Sequence, residues 1–133
     1  MRVRGFTARA QRMAESLMLD TCRIRAVTGN TTNTTTGVAA PIYGAAVYEG
    51  KCKVQQMRGA LPSTPDAGEH RWTVAPLELH LPVVGTAAVK TDHLVEVLAS
   101  VDAANVGRKF RIRTGDRKSF QSAVRFAVEE VTD

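Results

Sequence analysis

The sequence predicts a mainly β fold: a small antiparallel β-barrel of about six strands, with one N-terminal helix and two long loops. In most of the chain apolar residues recur at every second position, the period of a half-buried strand. One N-terminal segment has helical spacing instead, and two tracts of Gly, Pro and short polar residues separate strands. Strands spaced in this way fit a small antiparallel barrel or a sandwich, and a barrel is favoured because its closure protects sheet edges. The 133 residues suit one domain, with an arm and helix in 1–19 and the barrel in 20–133.

The N-terminal segment has the spacing of one helical face. Its apolar positions are Phe6, Ala10, Met13 and Leu17. The residues between them are good helix formers, so we expect a helix over Thr7–Met18 with Thr7 as its N-cap. Arg2 and Arg4 would precede it as a short basic arm.

The first half of the predicted barrel contains strand segments, in which apolar and polar residues alternate, and two loops. Cys22 and Ile24 alternate with arginines, which indicates a strand. The Thr-rich tract Gly29–Pro41 is then expected to be a loop, and Arg58–Gly68 a second one. Between them the sequence indicates one long strand, or two strands broken at Gly50.

The C-terminal third carries the clearest strand pattern. Leu77, Leu79 and Leu81 alternate with polar residues just before it. From Asp92 to Glu130 three strands follow, joined by short turn-rich connections. The residues expected to face the core there are Val95, Val97, Phe110, Ile112, Phe126 and Val128. Asp92 and Asp102 bracket one strand and are expected to shape turns through bonds to the backbone.

Composition limits the partners and the compartment. The formal charge is +5 and the pI about 9.7, a balance that favours anionic partners such as nucleic acid. Cys22 and Cys52 form no CxxC motif, and the sequence leaves open whether they meet. No apolar run indicates a signal peptide or a membrane span, so we expect synthesis in a reducing cytosol.

The sequence offers no recognisable set of catalytic residues. His70, His80 and His93 lack the spacing of metal ligands and are expected to be surface or partly exposed. Glu129 and Glu130 are adjacent on a strand, so they would face opposite sides and make a poor acid–base pair. Neither a nucleophile elbow nor a phosphate-binding loop is present. We therefore expect no enzyme and no catalytic, cofactor or metal site.

A row of basic residues is the main candidate for a site. Lys109, Arg111 and Arg113 would project from one strand face about 7 Å apart, with Arg117 and Lys118 in the turn that follows. Such a row suits a phosphate backbone. A solvated strand face and a subunit interface are the two other interpretations.

Several segments together resemble a family of phage proteins. They are GKCKVQ, VAPLELHLPV, TDHLVEV, VGRKFRIRTG and AVRFAVEEV. In these segments, and in the order of helix and strands, the chain resembles the head-to-tail connectors of tailed phages. The most similar type is the stopper, or head-completion protein, of actinobacterial siphophages.

The resemblance implies a structural protein of the virion neck, made in the host cytoplasm. Copies would form a homo-oligomeric ring, with the portal–adaptor complex above and the tail terminator and tail tube below. The ring would retain packaged double-stranded DNA in its channel, with no membrane involved. By strand order, the channel loop of that family corresponds to Arg58–Gly68, and the runner-up is Gly29–Pro41. The candidate channel residues are Leu61, Pro62, Ser63, Thr64, Pro65 and Asp66.

Two alternatives remain at this stage. One is a tail terminator or another neck component, which the helix-then-barrel order separates poorly from a stopper. The other is a free β-barrel that binds nucleic acid through the basic row. The number of subunits in a ring is not encoded in any pattern that we can interpret.

Overall fold

The computed structural model describes residues 2–56, 66–67, 70–71, 77–119 and 121–131. It contains one helix, eight strands and one 3-10 turn, Ala103–Asn105, within these residues. The helix α1 is Arg2–Ser16, and the strands are β1 (Asp20–Thr32), β2 (Ala39–Gln56), β3 (Asp66–Ala67), β4 (His70–Arg71), β5 (Leu77–Leu81), β6 (Leu94–Ala99), β7 (Lys109–Asp116) and β8 (Val124–Val131).

Six of the strands close into an antiparallel barrel. Their order around the barrel is β1, β2, β5, β8, β7 and β6, and β6 returns to pair with β1. The strands β3 and β4 form a separate two-stranded pair. The prediction of a small six-stranded barrel with one N-terminal helix is confirmed. Every junction is antiparallel, so short connections suffice between β1 and β2, between β6 and β7, and between β7 and β8.

The barrel interior is filled by the inward positions of all six strands. Register places Ile24 opposite Val95 and Leu79 opposite Phe126, so large apolar side chains meet across strands. All six residues predicted to face the core from the C-terminal third are buried. The interior is therefore packed with side chains and has the character of a core.

The two cysteines lie side by side in this core. Cys22 pairs with Gly50 and Cys52 with Asp20, so the thiols are two positions apart on neighbouring strands. Both are fully buried and free. A hydrogen bond between the two thiols, together with burial, raises the pKa of Cys22. The question that the sequence left open is settled: the cysteines are neighbours.

The helix differs from the prediction in extent and orientation. It begins at Arg2, so Thr7 lies inside it and the expected basic arm is its first turn. No proline interrupts the segment, and its single glycine costs only about 1 kcal/mol, so nothing stops the helix from starting early. The apolar positions Phe6, Met13 and Leu17 are 72%, 71% and 58% exposed. Helical spacing was correct, but this stripe does not face the barrel.

The Thr-rich tract is largely strand, so the expectation of a loop over Gly29–Pro41 was wrong for most of its length. Backbone pairing of β1 with β2 continues to Thr32 opposite Ala39. The turn occupies only residues 33–38, where Asn33 Oδ1 accepts bonds from two backbone N–H groups and Gly37 adopts a φ of 72°. Glycine tolerates that left-handed conformation, which explains why the reversal occurs there. β2 is one unbroken strand, not two broken at Gly50.

The second predicted loop is only partly within the described residues. Asp66 and Ala67 form β3, which pairs with His70 and Arg71 of β4. The other candidate channel residues, 61–65, lie outside the described residues.

The two predicted turn-shaping aspartates occupy turns. The Asp102 carboxylate accepts a bond of 2.9 Å from the Ala104 N–H and so caps the 3-10 turn. Asp92 has a φ of 70° in the bend before β6. Asp is among the residues that tolerate this conformation best, so both positions are explained by backbone geometry.

Candidate functional site

The basic row lies on the outer wall of β7. Phe110 and Ile112 are buried, whereas Arg111 and Arg113 are exposed and Lys109 is half-buried. Alternation in a strand therefore sends the three basic side chains to one face, about 7 Å apart, as predicted. A register shift after Ile112 marks a bulge at Arg113, which locally twists this end of the row.

Two arginines of β1 extend the row to a wider basic surface. Arg23 and Arg25 donate to the same Glu96 oxygen of β6, at 3.3 and 3.5 Å. The Arg25 guanidinium also lies over the Tyr43 ring, 4.7 Å from its centroid. The predicted row did not contain these arginines, although their alternation with Cys22 and Ile24 indicated that they face outward from the barrel. We call the combined surface the basic face, defined by Arg23, Arg25, Lys109, Arg111 and Arg113.

Acidic side chains reduce the charge of the basic face. Glu129 pairs with Arg113 and also lies opposite Arg111 in the register. Glu96 lies opposite Lys109 while it binds the two arginines of β1. Glu49 lies opposite Arg23 in the register. Five basic and three acidic side chains therefore leave two positive charges on the face. This arrangement can attract an anionic polymer without the density of charge that makes binding tight.

Arg108, just before β7, has a structural role. Its guanidinium makes two bonds of 3.0 Å to the Glu130 carboxylate and covers the Phe110 ring at 4.9 Å. Arg108 holds the pKa of the Glu130 carboxyl below its usual value. This pair therefore closes one end of the barrel over its largest buried side chain.

The last two predicted site residues do not continue the row. Arg117 donates to the Val83 carbonyl at 3.2 Å and to the Thr86 carbonyl at 3.5 Å, so it contacts the connection between β5 and β6. The backbone N–H of Lys118 donates to the Gln121 side chain at 3.2 Å. Both lie in the turn after β7, as the sequence indicated. Arg117 is committed to loop contacts, and Lys118 remains exposed.

A second polar cluster lies under the C-terminal end of α1. Glu78 and His80 hydrogen-bond to each other on the outer face of β5, and Gln55 Nε2 lies 3.2 Å from His80 Nε2. They line a cavity of about 220 Å³ that Leu17 and Arg125 also border. The expectation that His80 is surface or partly exposed was wrong, because α1 covers it and leaves 9% exposed.

Burial determines the protonation of this cluster. Desolvation lowers the pKa of His80, and the neighbouring Glu78 only partly opposes that effect. The imidazole is therefore neutral near pH 7, and its Nε2 N–H donates to the Glu78 carboxylate, because a carboxylate only accepts. Such a network suits the docking of α1 to the barrel wall.

In the described part of the chain, no three His, Cys, Asp or Glu side chains gather as a metal site requires. The single described helix is too short and too polar to cross a membrane.

Comparison with known proteins gives one family. No curated protein matches the chain. A family model described as a family of unknown function, DUF6093, matches residues 10–129, which run from within α1 almost to the end of β8. The closed barrel and the basic face thus fall almost entirely within the matched region, together with the C-terminal part of α1, and the chain belongs to the DUF6093 family.

Proposed function

We propose that this chain is a structural protein of the phage head-to-tail neck, a stopper whose copies form a ring. The ring joins the portal–adaptor complex to the tail and retains packaged DNA. The sequence resemblance supports this function, and the fold is compatible with it: a closed barrel with one N-terminal helix.

The observation that carries the proposal is the amount of large apolar surface outside a well-filled core. Among the residues that the structure describes, ten large apolar side chains are exposed, and they lie on α1 and its C-terminal end, on the β1–β2 hairpin and on the connections after β5 and β6. They are Phe6, Met13, Leu17, Leu19, Val27, Val38, Ile42, Val84, Val101 and Val106. Apolar side chains grouped on an element, as on α1, mark protein contacts more often than free surface. A ring subunit has neighbours on both sides and partners above and below, which matches this distribution.

The basic face suits a wall that packaged DNA passes. Its two net positive charges give weak attraction to phosphates, and weak attraction holds DNA near the wall without resisting its exit. A more densely basic surface would bind DNA tightly, because each added phosphate contact multiplies the affinity.

Electron microscopy of phage particles that carry this chain tests the proposal. We expect the chain to be traced as a ring between the head and the tail tube. A protein that is absent from particles, or that lies elsewhere in them, refutes the stopper function. A ring traced directly on the tail tube, with a separate ring above it, would identify a tail terminator instead.

A free nucleic-acid-binding barrel is the second candidate, and the basic face is the observation that favours it. Replacing Lys109, Arg111 and Arg113 by Ala would then weaken binding to double-stranded DNA and reduce its salt dependence. The matched control replaces Arg9, Arg12 and Lys90, which are exposed and do not belong to the basic face, and removes the same charge. Equal loss in both variants would show that only net charge matters and would exclude a DNA-binding face.

A further inference from the structure

The β1–β2 hairpin extends well beyond the barrel. β6 pairs with β1 only over residues 21–25, and β5 pairs with β2 only over residues 53–56. Past these points the two strands pair only with each other among the described residues. We call residues 26–48 the hairpin arm. The outer edge of each arm strand therefore has backbone N–H and C=O groups that no described strand satisfies.

The hairpin arm has no charged residue, although 18 basic and 13 acidic residues occur in the chain. Proteins guard open strand edges with charged side chains, proline or bulges, because an unguarded edge pairs with other strands. The arm has Pro41 and register shifts between Arg25 and Gly29, but it lacks the charged guard. The arm also exposes Val27, Val38 and Ile42, at 41%, 62% and 46%. A two-stranded ribbon is marginally stable alone in water, so these features fit an element that another strand covers.

We infer that the hairpin arm is a strand-pairing surface for a second copy of this chain. In this arrangement the outer edge of β1 in one copy adds to the outer edge of β2 in the next. The occupant follows from topology: the barrel is closed, so in the described structure a copy offers a long open edge only on its own arm. An uncharged arm also meets its equivalent without charge repulsion.

The geometry of the arm favours a chain of contacts over an isolated pair. Each arm has two different edges, so pairing β1 to β2 leaves one edge free on each end copy. Such head-to-tail contacts form a ring when the rotation between copies closes and an open filament when it does not. This inference rests on the proposed function, because the second copy is taken to be the neighbouring subunit of the ring. Pro41 has no N–H to donate, so we expect β2 to pair from Ile42 onward. Residues 26–32 and 42–48 then give matching edges of about 23 Å.

Photo-crosslinking with isotope labels tests the pairing in the full chain. A photoreactive amino acid replaces the exposed Thr31 of β1, and labelled and unlabelled copies are mixed before irradiation. Cross-linked peptides that carry one labelled and one unlabelled half come from two copies. We expect such mixed peptides to join position 31 to residues 39–48.

A charge placed on the arm tests the same contact by assembly. Ile42→Lys places a charged residue on the edge strand β2, and the control Thr35→Lys adds the same charge in the turn. We expect the first variant to raise the concentration for half-assembly at least about tenfold, because charged edge residues oppose strand pairing. The control is expected to stay within about twofold of the unchanged protein.

The possible results distinguish a failure of the arm pairing from a failure of the proposed function. Cross-links confined to one chain, or mixed peptides that avoid residues 39–48, overturn the arm pairing. So does an Ile42→Lys variant that assembles like its control. A neck ring whose cross-links avoid the arm refutes only this inference. Arm-to-arm cross-links in a protein that is absent from the neck refute only the stopper function.

Discussion

Replacing Gly115 by alanine is expected to destabilise the barrel through one steric contact. Gly115 of β7 lies directly opposite Phe126 of β8. A Cβ atom there would lie 2.0 Å from Phe126 Cδ1 and 2.5 Å from Cε1, distances that no real contact shows. Phe126 is 4% exposed, so its ring has no free space into which it can turn. Gly115 is therefore required by the packing of its neighbour.

The magnitude follows from two opposing effects. Overpacking of a filled core costs about 1–3 kcal/mol. Loss of glycine freedom in the unfolded chain returns about 0.4–1 kcal/mol. We expect a net loss near 1–2 kcal/mol in the free energy of unfolding, or a fall of about 4 °C in Tm per kcal/mol at this chain length.

Urea unfolding followed by circular dichroism measures this loss, and Gly29→Ala provides the control. Nothing lies within 4 Å of a Cβ built on Gly29, so that variant is expected to equal or slightly exceed the original stability. A smaller side chain in the Phe126→Leu background makes room for the added methyl. Gly115→Ala should then cost clearly less than it does alone. An unchanged unfolding midpoint for Gly115→Ala, or the same cost in both backgrounds, would refute the steric reasoning.

Three further predictions concern pH, thiol reactivity and the core. In the folded protein, burial lowers the pKa of His80 and His93 below about 6.5, the value expected in the unfolded chain. The stability that the neutral histidines contribute to the folded state is therefore present above that pH and is lost as the pH falls through the folded pKa values. Thermal unfolding should give a lower Tm at pH 5 than at pH 7.5, and this difference should be smaller in the His80→Gln variant. An equal difference in the variant would exclude a contribution from His80. Cys22 and Cys52 are fully buried, and the raised pKa of Cys22 keeps its thiol protonated, so both should react with a thiol reagent only after unfolding in denaturant. Fast modification of either thiol in the folded protein would contradict this packing. Phe110 is fully buried beneath Arg108, and Phe110→Ala should cost about 3–5 kcal/mol by urea unfolding, whereas Arg111→Ala on the same strand should cost under about 1 kcal/mol. Similar losses of stability in the two variants would contradict the assignment of Phe110 to the inner face and Arg111 to the outer face of β7.

The C-terminal strands were predictable because their pattern is local. Val95, Phe110 and Phe126 alternate with polar residues, and a strand that is half buried requires that alternation whatever its neighbours are. The turn at Asp102 was predictable for the same reason, since its carboxylate bonds to a backbone group two residues away.

The Thr-rich tract was harder to interpret, because short polar residues are compatible with either a loop or an exposed ribbon. Its strand pairing depends on a partner strand some ten residues away, as in Thr32 opposite Ala39. The turn chemistry of Asn33 and Gly37 was the only local signal, and it marks six residues of the thirteen.

The sequence by itself determined the fold class, the inward residues of the last three strands and the shared direction of Lys109, Arg111 and Arg113. These properties follow from periods of two and from short-range backbone preferences, which act within a few residues. Only the tertiary structure decided that Arg23 and Arg25 join that basic face, that α1 covers His80, and that Cys22 touches Cys52. Each of these depends on which strands pair and on where the helix docks. Strand order and docking arise from packing between distant segments, and no local period encodes them.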